Sequence, residues 1–293
     1  DTITPLFALV VSTLVGLAVT PALIAGWFGL PQAGVASAAY GAVASFAVTL
    51  CWLAWYLRRK KHALAPTAEF MRHLRIDPAI LKSVLRIGIP TALQMVIMSL
   101  AEVALLTIVN RFGSDATAAY GVGNQVLGYV QFPAMSIAIA ASILGAQAIG
   151  AGQIERLGSI TRAGIMINFA ITGSLLLLCY LLARPIIGMF TEHHETTDIA
   201  LRLLYIVLWS TLLFGASAVT SGVMRASGTV LVPVALSISA ILFVEVPTAW
   251  YLSQRIGLDG VWIAYPVTFA AMLLFQATYY RMVWRKRKIE RLA

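Results

Sequence analysis

Eight apolar stretches, each long enough to cross a bilayer, leave this chain little choice but a bundle of membrane helices. A bilayer core about 30 Å thick needs about 20 apolar residues in helical form. The stretches lie near 5–28, 33–57, 87–109, 116–149, 163–183, 203–224, 230–252 and 261–280. Six of them hold no Asp, Glu, Lys or Arg; 87–109 contains Glu102 and 230–252 contains Glu245. A membrane β-barrel is excluded, because period-two alternation is absent and the runs far exceed about 10 residues. The chain is 60% apolar and 11% charged, against about 45–50% and about 25% in soluble domains. That balance excludes an ordinary soluble enzyme, a disordered chain and a DNA-binding domain. The stretch 116–149 is too long for one crossing at about 1.5 Å per residue, so its ends emerge or it kinks at Pro133.

The net charge of +9 sits in short blocks between the spans, as membrane-flanking charge does. Placing 58–86 in the cytoplasm leaves only Arg111, Arg184, Arg202 and Arg255 on the outer side, out of 21 Lys and Arg. The positive-inside rule then puts both ends of the chain in the cytoplasm, as a multi-pass protein of the plasma membrane, in a bacterium the inner membrane. Cys51 and Cys179 lie inside apolar runs, with no Cys-x-x-Cys, so no disulfide framework is expected.

An internal repeat links the first two spans to the last two. Pro21 and Gly34 are spaced as Pro247 and Gly260 are, and Gly34-Val35-Ala36-Ser37-Ala38 aligns with Gly260-Val261-Trp262-Ile263-Ala264. Both copies end in basic clusters, Arg58-Arg59-Lys60-Lys61 and Arg285-Lys286-Arg287-Lys288. Six spans separate the copies, so both point the same way across the bilayer, as in the parallel repeats of secondary transporters. Only one half is whole. The expectation is a fragment of a twelve-span protein, lacking four upstream helices and inactive alone.

Several segments resemble the multidrug and toxic compound extrusion (MATE) transporters. Asp1-Thr2-Ile3-Thr4-Pro5 resembles the start of that family's fifth helix, Gly34-Val35-Ala36-Ser37-Ala38-Ala39 its sixth, and Arg86-Ile87-Gly88-Ile89-Pro90 its seventh. Gly222-Val223-Met224-Arg225-Ala226-Ser227-Gly228-Thr229 resembles the join of the tenth and eleventh. The resemblance implies an all-α membrane protein, a MATE-like helical bundle of the MOP superfamily with about eight transmembrane helices. Residues 1–57 would be the last two helices of the N-terminal lobe, 58–86 the cytoplasmic connector, and 87–293 a complete C-terminal six-helix lobe with a basic tail. It also implies two lobes around a central cavity, and export of amphipathic organic cations in exchange for H+ or Na+. The family's usual seventh-helix acid position, eight residues after Pro90, holds Met98; Glu102 follows one turn later, and 203–224 carries no acid.

Glu102 and Glu245 each lie fifteen residues beyond the cytoplasmic end of their span, at Ile87 and Val230, and so at matched depth in a single polar layer. A carboxylate there is costly and turns toward the bundle interior. Removal from water favours the neutral form, so one group can hold a proton and a cationic drug in turn. The two acids are the cation-coupling candidates; the competing readings are a structural network for Glu102 and a structural role or a water-exposed rim, beside Pro247, for Glu245.

Asn124, Gly128, Gln131, Met135 and Ser142 share one face of 116–149, as a cavity wall or, through Gly128, a close-packed seam. Gln94, Met98, Asn124, Gln131 and Met135 are the substrate-cavity candidates. Thr91, Met95, Met98 and Ser99 share the face of Glu102, where Met suits promiscuous apolar surfaces but equally plain packing. Asn168 reads as interhelical glue, and Trp52, Trp55, Tyr56, Tyr279, Tyr280 and Trp284 as an interfacial aromatic belt.

All four His lie in loops without metal-ligand spacing, and no phosphate loop or nucleophile elbow is present. No enzyme activity, no catalytic residue, no metal and no cofactor beyond a coupling H+ or Na+ is expected. The partners expected are small amphipathic molecules, the coupling cation and the bilayer, with no nucleic acid and a monomeric state at full length. The alternatives are a lipid-linked oligosaccharide flippase of the same superfamily, disfavoured by the lack of basic residues inside the spans, and a non-transporting membrane scaffold.

Overall fold

Uncharged backbone in hydrocarbon must satisfy its own hydrogen bonds, and helices do this within one segment. The computed structural model describes residues 3–27, 36–60, 65 and 77–286. Its elements are α1 (Ile3–Ala25), α2 (Ala36–Arg59), α3 (Pro78–Val109), α4 (Ser114–Gly150), α5 (Arg156–Leu181), α6 (Ala183–Gly188), α7 (His194–Val207), α8 (Thr211–Ala226), α9 (Leu231–Ala240), α10 (Val246–Ile256) and α11 (Leu258–Met282). Eight helical segments are long and apolar enough to cross a membrane. Two of these, α7 with α8 and α9 with α10, are each interrupted by a short non-α turn. Gly34 and Val35, most of the 58–86 connector, His62, His73 and the tail from 287 lie outside the described residues.

The chain forms two compact units, residues 1–81 and 82–293. In the first, α1 and α2 pack as a hairpin in which Gly41 lies against Thr20. Trp52 stacks on Tyr56 at 5.2 Å, and Arg59 and Lys60 cover the Trp55 and Tyr56 rings.

The second unit is built on α4, a single 37-residue helix running through Pro133. At 1.5 Å per residue it is about 55 Å long, so its ends emerge from the hydrocarbon. Its buried stripe faces α5, α7 and α8. Small residues set that distance: a Cβ on Gly222 would stand 2.6 Å from the Ala138 carbonyl oxygen, and one on Gly123 2.7 Å from Leu203. Such stripes replace the hydrophobic driving force that lipid cannot supply. One apolar core joins the C-terminal end of α3 and the N-terminal half of α4 to α7 and α11; a second joins the C-terminal half of α4 to α8 and Trp284.

Three expectations change. Residues 78–86, read as connector, are the first turns of α3, because Pro78 sits at the helix start, where a missing N–H costs nothing. Asp77 caps that start, accepting from the Ala79 N–H at 2.8 Å. Trp284 is not at a lipid interface: it is 2% exposed and donates from Nε1 to Ser227 Oγ at 2.9 Å. Gly128 does not make a tight seam, since a Cβ there would meet nothing within 4 Å.

Candidate functional site

The candidate site lies inside the second unit, where the α9–α10 span is irregular. Residues Ile241–Glu245 form a π turn between α9 and α10. Its cause is local. The Pro247 ring cannot sit over the carbonyl four residues back, at Phe243, and it offers no N–H; a wider turn relieves the clash. Below it, Gln276 of α11 donates from Nε2 to the Pro233 carbonyl at 2.9 Å and to Ser237 Oγ at 3.2 Å. That side-chain bridge ties α9 to α11.

The π turn ends on Glu245 and turns it inward. Glu245 is 9% exposed, so the rim reading is corrected: the helix does not break into water at Pro247 but continues as α10. In the same part of the unit, Tyr120 of α4 and Tyr265 of α11 pair their hydroxyls at 2.9 Å. Trp262 stacks on Tyr120 at 5.8 Å and 10°, is fully buried, and leaves its Nε1 without a partner. Asn124 lies beside the Tyr120 hydroxyl. Pro266 next to Tyr265 removes the usual donor to the Trp262 carbonyl.

Glu102, on α3, is within electrostatic reach of Glu245 and of both tyrosines. The two acids expected at matched depth thus lie on neighbouring parts of the second unit. They differ in burial, Glu102 being exposed and Glu245 enclosed. Among the described residues the sole ion pair within 4 Å is Arg184–Asp198, at 3.7 Å on the surface. Neither acid has a cationic partner there. Carboxylates in a span without a fixed counter-ion are groups that can attract a cation.

Of the five cavity candidates, Asn124 belongs to this cluster. Gln131 is half-buried further along α4, on the flank between its packed stripe and its open face, with Met135 exposed beyond it. Met98 and Met95 are exposed on α3 one and two turns before Glu102, and Gln94 is half-buried. Asn168 is fully buried as glue: it donates to the Leu212 carbonyl at 3.3 Å, accepts from Thr172 at 3.1 Å and lies on Gly215. Sequence reasoning missed Tyr120, Tyr265, Trp262 and Gln276. A signal existed for Tyr265, a tyrosine directly before a proline inside an apolar span.

The MatE family model matches residues 90–251. The probable multidrug resistance protein YoeA of Bacillus subtilis is 47% identical, in an alignment covering 100% of this chain and 64% of the relative. The probable multidrug resistance protein NorM of Thermotoga maritima is 24% identical, over 99% of this chain and 62% of its own length. A mutant of the Vibrio cholerae MATE transporter VcmN has the same fold at a TM-score of 0.86 and 19% identity, over 99% of this chain and 64% of that one. The chain thus spans somewhat less than two thirds of the relatives it matches.

Proposed function

The chain belongs to the MatE family, and on that footing we propose that the protein is a secondary antiporter, not an enzyme, that exports amphipathic organic cations in exchange for inward H+ or Na+. Glu102 and Glu245 are the coupling residues in this reading, and Gln94, Met98, Asn124, Gln131 and Met135 line the drug path. The protein lies in the bacterial inner membrane with its basic loops in the cytoplasm, in keeping with the positive-inside rule.

One observation carries the proposal: Glu245 is buried in a span, near the hydrogen-bonded Tyr120–Tyr265 pair, with no basic residue within 4 Å of it among the described residues. An acid kept in a span at such cost marks an ion or substrate path. A permanent Lys or Arg partner would neutralise it; an exchangeable cation leaves it free to alternate. Flipping of a lipid-linked pyrophosphate would call for basic groups at this place, and the cluster is acidic.

The test is ethidium efflux in everted membrane vesicles carrying the full open reading frame that encodes these residues, with H+ and Na+ gradients imposed separately. Glu102→Gln and Glu245→Gln are each expected to slow gradient-driven efflux at least tenfold. Normal efflux by both variants sinks the reading. Stimulation by one gradient alone identifies the coupling ion.

A further inference from the structure

A groove at the basic end of the second unit is built like a lipid seat. It runs between α4 and α5, holds about 550 Å³ and is open along one side. Ala140, Ala148, Ala163 and Gly164 keep its walls low, and Ile137 and Ile167 close its far end. From Gln147 to Ile137 is ten residues of helix, about 15 Å, the depth of one leaflet's hydrocarbon.

Its mouth is polar and cationic. Gln147, Gln153, Arg156 and Ser159 ring it. The turn that places them is tightly specified: Gly152, at φ 74°, closes α4, with Gln153 N–H donating to the Ala148 carbonyl at 2.8 Å and Gly152 N–H to Ile149 at 3.0 Å. That is the paired-bond helix stop which needs a left-handed residue, hence glycine. It folds Gln153 back so that its Oε1 accepts from Arg156 Nη1 at 2.9 Å. The guanidinium is thereby oriented, yet no carboxylate lies within 4 Å of it among the described residues. Arg285 lies near Gly158, two residues further on, and Arg162 follows on α5; against these stands Glu155 at the helix start.

We propose that this groove binds an anionic phospholipid, its phosphate on Arg156 and an acyl chain along the alanine-lined wall. Both α4 and α5 are spans, so what meets an apolar slot of leaflet depth is an acyl chain. The unpaired arginine at its mouth selects negative over zwitterionic head groups. The site is separate from the Glu102–Glu245 cluster and does not depend on the transport reading.

Native mass spectrometry of the purified chain tests this, with dioleoyl phosphatidylglycerol, dioleoyl phosphatidylcholine and soluble glycerol phosphate as probes. The wild type is expected to bind the phosphatidylglycerol about fivefold more tightly than the phosphatidylcholine, as one basic residue near an anionic surface contributes. Arg156→Gln abolishes that preference and Arg156→Lys keeps most of it. Ala163→Phe, which fills the groove from an exposed position, weakens binding of both lipids. If either variant melts below the wild type, Gln153→Ala and Ala140→Phe take their places. An unchanged preference in Arg156→Gln, unchanged lipid binding in Ala163→Phe, or equally tight binding of glycerol phosphate overturns the proposal.

Discussion

Tyr120 and Tyr265, 145 residues apart in sequence, share a hydroxyl-to-hydroxyl hydrogen bond of 2.9 Å inside the second unit. Each hydroxyl is withdrawn from bulk water. Removing one leaves the other short of a partner, at about 1–3 kcal/mol, whereas removing both spares that penalty. Tyr120→Phe and Tyr265→Phe are therefore expected each to lower stability by more than half the loss in the double variant. The coupling in a double-mutant cycle should be about 1 kcal/mol, measured by chemical denaturation in detergent micelles. Additive effects would show that the pair is incidental.

The two acids should separate by stability. Glu245 is buried and has no cationic partner within 4 Å among the described residues, while Glu102 is exposed. A charged group in a span costs about 2.5–3.5 kcal/mol, and an isosteric amide avoids much of that. At neutral pH Glu245→Gln should raise the melting temperature, and Glu102→Gln should leave it within about 0.5 kcal/mol of wild type, as surface changes do. A thermal melt of the two variants decides this without reference to transport. A destabilised Glu245→Gln would mean that the carboxylate holds the local structure together.

Glycine spacing gives a prediction with a built-in control. A Cβ at Gly222 would press on the Ala138 carbonyl oxygen at 2.6 Å, which backbone cannot yield, while a Cβ at Gly128 meets open space. Gly222→Ala should cost about 1–3 kcal/mol through overpacking. Gly128→Ala should be neutral or stabilising by up to about 1 kcal/mol, since alanine is the better helix former. Both are read from denaturation midpoints in the same detergent.

What the sequence made legible follows from which forces are local. The spans announce themselves because uncharged runs of that length have one stable form in lipid. The shared depth expected of Glu102 and Glu245 rests on counting from the span ends, and α3 begins at Pro78, nine residues before the Ile87 used as its start. The inward turn of Glu245 could not be counted in this way, because it depends on the π turn that Pro247 induces, and one inserted residue of twist rotates a side chain to another face. Trp284 looked like an interfacial anchor because tryptophans at span ends usually are; its burial depends on Ser227, 57 positions upstream. Tyr120 and Tyr265 are ordinary in sequence and meaningful only as a pair.

Gln276 is the last and sharpest test of how the irregular span is held. Its Nε2 serves both the Pro233 carbonyl and Ser237 Oγ, its Oε1 has no partner, and the residue is fully buried. Gln276→Leu keeps the bulk, removes the unpaired oxygen and deletes two donated bonds. The Pro233 carbonyl still accepts from Ser237 Oγ at 3.0 Å, so only part of the bridge is lost. The expected cost is about 1 kcal/mol, the net worth of one hydrogen bond, and not the full penalty of an orphaned group. Gln276→Glu, by contrast, puts a negatively charged acceptor against the Pro233 carbonyl oxygen and should cost about 3 kcal/mol or more at neutral pH. If the leucine variant proves the worse of the two, the amide is not a donor here and α9 is held to α11 by packing alone.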